Sequence, residues 1–534
     1  MAYLPAKVFF ALALALPLTL LLSWGVLHQY QRALLRWMRR EPAPNLARPA
    51  ERPQPAESAG IPTGSSSSPR ANLGCLQRSE RLHWAWLAVL WLLIGMSAAL
   101  VYLPVHGQPF SPFRILAVTL VWAAPGWLQL SLMARLPWKR GLGLVLASLL
   151  GLLAVITPMM HDTSGLALLQ LLQWVLIQGL LPLLALTVLI GIPSLRATAP
   201  ILYPAVAGMT LLATVAQLPL MSASASLAAM LTLPAAAWTV LALLPPLLAG
   251  ALPLHALSRA IAAAYRRGWL SDHSFSLAAG ALLVLLLTVG PGWEGSGPAG
   301  LLPLLAWLWV PLALALQGVR RRQQPVAPGT PLLVLRLFRR PGPVGWLFDQ
   351  VVQRWRFVGP VLLITASDLA GRTLDADELV QFLEGRLGER FIAATDPLPP
   401  PVAAPDRDGR FRVQEFCCYD SSWQMVLEQL LQRSQVVLMD LRGFGPAHRG
   451  CLHELGRLGA SAHLQRVVLL ADANTNCAIA AEAFAAGSAN VPAAQAPPLQ
   501  WVEERRRRHP TMEAVLAALT ANPPACAPPA THLA

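Results

Sequence analysis

Lysine is almost missing from this chain: of 41 lysines and arginines only Lys7 and Lys139 are lysine, and none follows residue 139. That absence excludes a P-loop, GxxxxGK(S/T), together with any kinase that sets a lysine against nucleotide phosphates. Cysteine is scarce too. Cys75, Cys417, Cys418, Cys451, Cys477 and Cys526 form no CxxC pair and no Cys/His ligand spacing, so no metal site is expected. Neither GxSxG nor HExxH occurs. Charge of either sign is thin, 13% of residues against 55% hydrophobic, with a mean hydropathy of +0.50. Such a composition describes a membrane protein, although 534 residues alone suggest three or four soluble domains.

The apolar residues fall in long, charge-poor runs up to about Gly318, and ordinary charge density resumes beyond Arg320. Nine runs are long enough to span a bilayer at about 20 residues each: 8–28, 84–104, 114–134, 141–160, 165–192, 199–219, 226–250, 274–291 and 299–317. Basic residues concentrate in alternate connections, at Arg32 to Arg40, at Arg135 to Arg140, at Arg196, at Arg259 to Arg267 and at Arg320 to Arg322. Under the positive-inside rule this places the amino terminus outside and the carboxyl half in the cytoplasm. The scarcity of lysine beside abundant Ala, Leu, Pro and Arg suits a GC-rich bacterial genome and hence an inner membrane. A net charge of +14 would otherwise suggest nucleic acid, but arginines beside apolar spans act as topology signals and contacts for anionic lipid, so the bilayer is the expected partner. All six cysteines then lie on the cytoplasmic side and are expected as free thiols. Within the spans Gln170, Gln173 and Gln178 read either as a polar path for a transported substrate or as interhelical hydrogen bonding. Residues 255–270 carry basic and apolar side chains at helical spacing, which fits an interfacial helix.

The expected organisation is a first membrane helix in 1–28, a Pro/Ser-rich cytoplasmic linker in 29–83, eight further spans in 84–318, a basic hinge in 319–345, a Rossmann-like α/β domain in 346–490 and a tail with one short helix in 491–534. Pro331 to Phe338 reads either as a short strand or as a juxtamembrane segment. Val358 to Thr365 is a buried apolar run ending in the polar loop Ala366-Ser367-Asp368. Asp375 can cap an amphipathic helix with Leu379, Phe382, Leu383 and Leu387 inward. Phe411 to Cys417 looks extended, a helix runs from about Asp420 to Arg433, and Val436 to Met439 stops at Asp440 before the breaker Arg442-Gly443-Phe444-Gly445-Pro446. Cys451, Leu455 and Leu458 then fall on one helical face, and Arg466 to Leu470 is another buried strand. Strand, loop, helix and strand make a βαβ unit and a parallel sheet, which holds ligands at the carboxyl ends of its strands. Asp368, Asp440 and Arg442 are the ligand-binding candidates that this placement selects.

Leu430-Leu431-Gln432-Arg433-Ser434 leading into Val436 to Met439, then Arg449-Gly450-Cys451-Leu452-His453-Glu454-Leu455, then Arg466 to Leu470, resembles the second half of a TIR domain over about 50 residues. Cys451, Glu454 and Leu455 match the family's Ser-x-x-Trp-Cys-x-x-Glu-Leu helix, whereas Gly450 replaces its tryptophan and Ala447 its serine. The resemblance implies Glu454 as the catalytic residue and NAD as the substrate in members that cleave it, and it implies self-association or a protein partner. Read from the residues alone, Glu454 stands as readily for a helix cap or for an ion-pair partner of Arg449 or Arg457 on a solvated face. Three functions remain open at this level: a membrane-tethered signalling or interaction module that binds a nucleotide-like ligand or a protein, an NAD-hydrolysing enzyme, and a transporter with a cytoplasmic regulatory domain.

Overall fold

The computed structural model describes residues 4–40, 73–135, 181–192, 255–289, 296–322, 329–337, 345–365, 374–504 and 512–521, apart from 395, 400, 401, 403 and 494, with scattered positions between 143 and 209. The chain divides into two units. The first comprises Met1–Tyr30, Leu82–Gln324 and Leu374–Glu384, the second Gln31–Arg81, Pro325–Thr373 and Gly385–Ala534.

The helices of the first unit include most of α1 (Leu4–Met38) and of α2 (Leu73–Val105), whose segments Gln31–Met38 and Leu73–Arg81 belong to the second, then α3 (Pro112–Met133), α4 (Leu181–Gly191), α5 (Asp272–Val289), α6 (Trp309–Arg322, preceded by the 3-10 turn Gly297–Leu308) and, far along the chain, α7 (Ala376–Leu383). Four helical stretches among the described residues are long and apolar enough to cross a membrane: Leu73–Val105, Pro112–Met133, Asp272–Val289 and Ala299–Val319. They coincide with four of the nine expected spans, and the expected span 8–28 lies within the helix α1. A count of nine is not supported, because most of 141–180 and 210–250, with the three glutamines at 170, 173 and 178, lies outside the described residues. The helices approach closely where side chains are small. A Cβ on Gly126 would fall inside the indole of Trp91, and one on Gly95 would meet the carbonyl oxygen of Thr119, the small-residue contact by which membrane helices pack without a hydrophobic driving force. The last apolar stretch instead exposes Leu302, Leu305, Leu308, Leu312 and Leu316 at helical spacing.

The second unit is built on a seven-stranded sheet, every pair parallel: β1 (Leu332–Arg336), β2 (Val361–Ile364), β3 (Phe391–Ile392), β4 (Val413–Cys418), β5 (Val436–Asp440), β6 (Arg466–Ala471) and β7 (Leu499–Glu503). Their lateral order is β3-β4-β2-β1-β5-β6-β7. Without the two-residue β3 at the edge this is the doubly wound order 3-2-1-4-5-6, whose direction reverses between β1 and β5. Period-2 alternation sorts the side chains. Leu333, Leu335, Val437 and Met439 pack with helices α8 (Trp423–Arg433), α9 (Arg449–Gly459) and α10 (Cys477–Ser488). Leu332, Val334, Val436 and Leu438 pack with the helical turn Leu347–Val352 and with α11 (Met512–Thr520). Both faces are therefore covered, as an all-parallel sheet requires.

Three boundaries differ from expectation. The central strand β1 lies in the stretch assigned to the hinge, because five consecutive buried residues there are flanked on both sides by other strands. The assigned tail supplies β7 and α11, whose Val515, Leu516, Ala518 and Leu519 are buried on the sheet. The linker is helical from Leu73, and Leu76, only 1% exposed, joins the same apolar layer. Asp375 does cap α7, accepting from the Glu378 amide at 2.7 Å, but Leu383 is exposed rather than inward.

Candidate functional site

Two apolar strands at the switch point each end in a charge: Leu332 to Leu335 closes on Arg336, and Val436 to Met439 on Asp440, and the two are register partners across the β1–β5 pair. Both are buried. The chain then turns back on itself. Arg442 donates from Nε and Nη2 to the two carboxylate oxygens of Asp440 at 2.8 and 2.6 Å, and from Nη1 to Glu504 at 3.4 Å, while its guanidinium lies 5.5 Å over the ring of Trp346. Burial disfavours this guanidinium's charge, yet the bidentate bond to Asp440 and the carboxylate of Glu504 outweigh it and hold its pKa above the ordinary value. Gly443, at φ 76°, makes the left-handed turn that folds the loop, and its amide donates to Asp472 at 2.8 Å. Thr475 bridges Asp472 to the carbonyl of Leu441. Asp440 and Arg442, selected as ligand contacts, are thus engaged with each other as the rigid floor of the β5 loop. Asp368 lies outside the described residues.

Helix α9 leaves this loop and brings Glu454 inward. Its carboxyl is 4% exposed, and one oxygen, Oε2, is buried without a hydrogen-bond partner. The solvated alternatives do not hold: Arg457 pairs with Glu428 on α8, and Glu454 sits in the second turn with Cys451, Leu455 and Leu458 on the buried face. Burial pushes the Glu454 carboxyl up to about 8, against the opposing pull of a hydrogen bond with Cys451 and the positive charge of Arg336. At neutral pH it is mainly the acid form, able to donate a hydrogen bond as well as accept one. Cys451 is itself pushed well up, by burial first and then by Glu454, so its thiol stays protonated and unreactive. His448 is exposed and takes a local hydrogen bond from the Gly445 amide, and His453 stacks edge-on against Trp423.

The structure brings Asp440 and Arg442 together and adds Trp346 and Glu504 around Arg442, while Glu454 is linked to this group through the positive charge of Arg336, the register partner of Asp440. Arg336 was findable, since Leu332 to Arg336 repeats the pattern of an apolar run closed by a charge that singled out Val436 to Asp440. Glu504 follows β7, whose half-exposed alternation carries little apolar signal. Set against known proteins, the chain matches no family model, no curated protein and no solved structure.

Proposed function

We propose that the protein is a membrane-tethered signalling module of nine spans in a bacterial inner membrane, amino terminus outside, whose cytoplasmic α/β unit binds a nucleotide-like ligand at the carboxyl end of β1 and β5. The observation that carries this reading is Glu454: a buried carboxyl with an unpartnered oxygen beside the reversal of strand order, where open α/β sheets place their ligands. A buried polar atom without a partner costs on the order of 1–3 kcal/mol, and a ligand hydroxyl would recover it. The leucine stripe of the last apolar stretch supports the bilayer as the other partner.

A second reading makes the same site an NAD-hydrolysing enzyme. It is favoured by the position of Glu454, which matches the catalytic glutamate of the TIR resemblance, and by its raised pKa, a mark of acid–base groups. Full-length protein in lipid nanodiscs separates the two. Tryptophan quenching and calorimetry with NAD and adenine nucleotides are expected to give saturable binding that Glu454→Ala weakens at least about tenfold, the loss of roughly one hydrogen bond to a charged or polar group. Nicotinamide release that disappears in Glu454→Ala, with binding retained, would instead establish the enzyme. Equal binding by both proteins, with nicotinamide release the same in both or absent from both, would remove Glu454 from the site.

A further inference from the structure

Residues Leu374–Glu384 stand between β2 and β3 in the chain, yet they group with the first unit and not with the sheet that both neighbouring strands build. What holds them is mostly polar. Glu378, 1% exposed, accepts a 2.6 Å hydrogen bond from the hydroxyl of Tyr30 on α1, also 1% exposed, and the Tyr30 ring meets Phe382 edge-on at 5.3 Å. Asp377 accepts from Arg266 at 2.5 Å, and Glu384 lies 3.6 Å from Arg259. Both arginines belong to the helix at 255–266, and their side chains are 54% and 65% exposed.

The geometry points to α7 as a releasable strap: a short acidic helix that the chain sends out from the end of β2 to clasp α1 and the 255–266 helix, and through which a rearrangement of those helices reaches the sheet. Three features make it releasable rather than permanent. Its ion pairs are solvent-exposed on the arginine side, where they are weak and screened by salt. Its apolar anchor is limited to Leu374, Leu379 and Val380, with Phe382 against Tyr30, while Leu383 is 54% exposed. Gly385 follows at φ 76°, a left-handed link free of side-chain clash that lets the helix swing against the chain behind it. One feature makes it specific. The buried Tyr30–Glu378 bond joins a directional hydroxyl to a carboxylate and fixes the register of docking. Nine residues of chain separate Ile364, the end of β2, from Leu374, and β2 lies next to β1 in the sheet, so the proposed coupling runs through the end of β2. This inference does not depend on which ligand that site takes.

Hydrogen exchange of the full-length protein in nanodiscs tests it. Tyr30→Phe, which keeps the ring and removes the donor, and Arg266→Asp are each expected to speed amide exchange in 374–384 on the order of tenfold and to raise it at 361–365, leaving β6 unchanged, as local opening requires. The charge swap Arg266→Asp with Asp377→Arg restores protection, and 1 M salt mimics the single variant in part. Unaltered exchange in 374–384, an effect that never reaches 361–365, or a loss of protection shared with β6 would overturn the strap.

Discussion

A carboxyl group held neutral inside a fold makes stability fall as pH rises. Glu454 titrates near 4.5 when the chain is unfolded and at about 8 when folded. Between those values the folded state keeps a proton that the unfolded state has released, so stability drops with increasing pH by about 1.4 kcal/mol per unit. The contribution is complete below about pH 4.5 and gone above about pH 8. Asp406, raised to about 7 by burial despite its 2.9 Å ion pair with Arg412, adds the same sign over a similar window. Glu454→Gln freezes the neutral shape, and the expected result is a flatter profile of melting temperature against pH, with a gain over wild type that grows from pH 5 to pH 8. A variant whose profile parallels the wild type would mean that Glu454 is ionised in the folded protein. Nothing in the spacing of Arg449 to Leu458 reveals this shift, because helical periodicity assigns Glu454 a face and only the packed neighbours decide whether that face has water.

Among elements, the closest fit lies between α9 and α10. A Cβ on Gly487 would land on the carbonyl oxygen of Gly456, and one on Gly459 on that of Phe484, so these backbones touch through glycine alone. Gly487→Ala is expected to lower stability by about 2 kcal/mol through overpacking. Gly450→Ala, near the start of the same α9 with open space around it, is expected to be neutral or to gain up to about 1 kcal/mol from helix propensity. Urea melts of the two variants, followed by tryptophan fluorescence, distinguish a tight seam from a general intolerance of substitution in α9. The helices themselves were legible as amphipathic runs, with Val426, Leu427, Leu430 and Leu431 buried as their spacing requires. The strand β7 was not, since an edge strand of half-exposed residues has no apolar run to announce it.

Across the whole molecule, the proposed orientation places every cysteine on one side of the bilayer. Cys75 is exposed, whereas Cys417, Cys418 and Cys451 are buried, and burial pushes Cys418 up to about 12. A membrane-impermeant maleimide is therefore expected to label Cys75 in inverted vesicles within minutes, to miss it in right-side-out vesicles, and to reach the three buried thiols only after denaturation. Labelling from the outer face would reverse the orientation.

Apart from β1 and β7, the order of the sheet's main strands and helices along the chain was determined by the sequence alone, since apolar periodicity and its interruptions by Pro, Gly and charge are local properties. So were the membrane-length runs at 84–104, 114–134, 274–291 and 299–317, which depend only on composition. Tertiary structure decided what no local pattern encodes: that Leu332–Arg336 is the centre of the sheet, that Arg336 lies beside Asp440, that Asp440 and Arg442 close on each other, and that Leu374–Glu384 leaves the sheet it is threaded through. Lateral strand order and the burial of a charged side chain are set by contacts between residues tens or hundreds of positions apart, as Tyr30 against Glu378 shows.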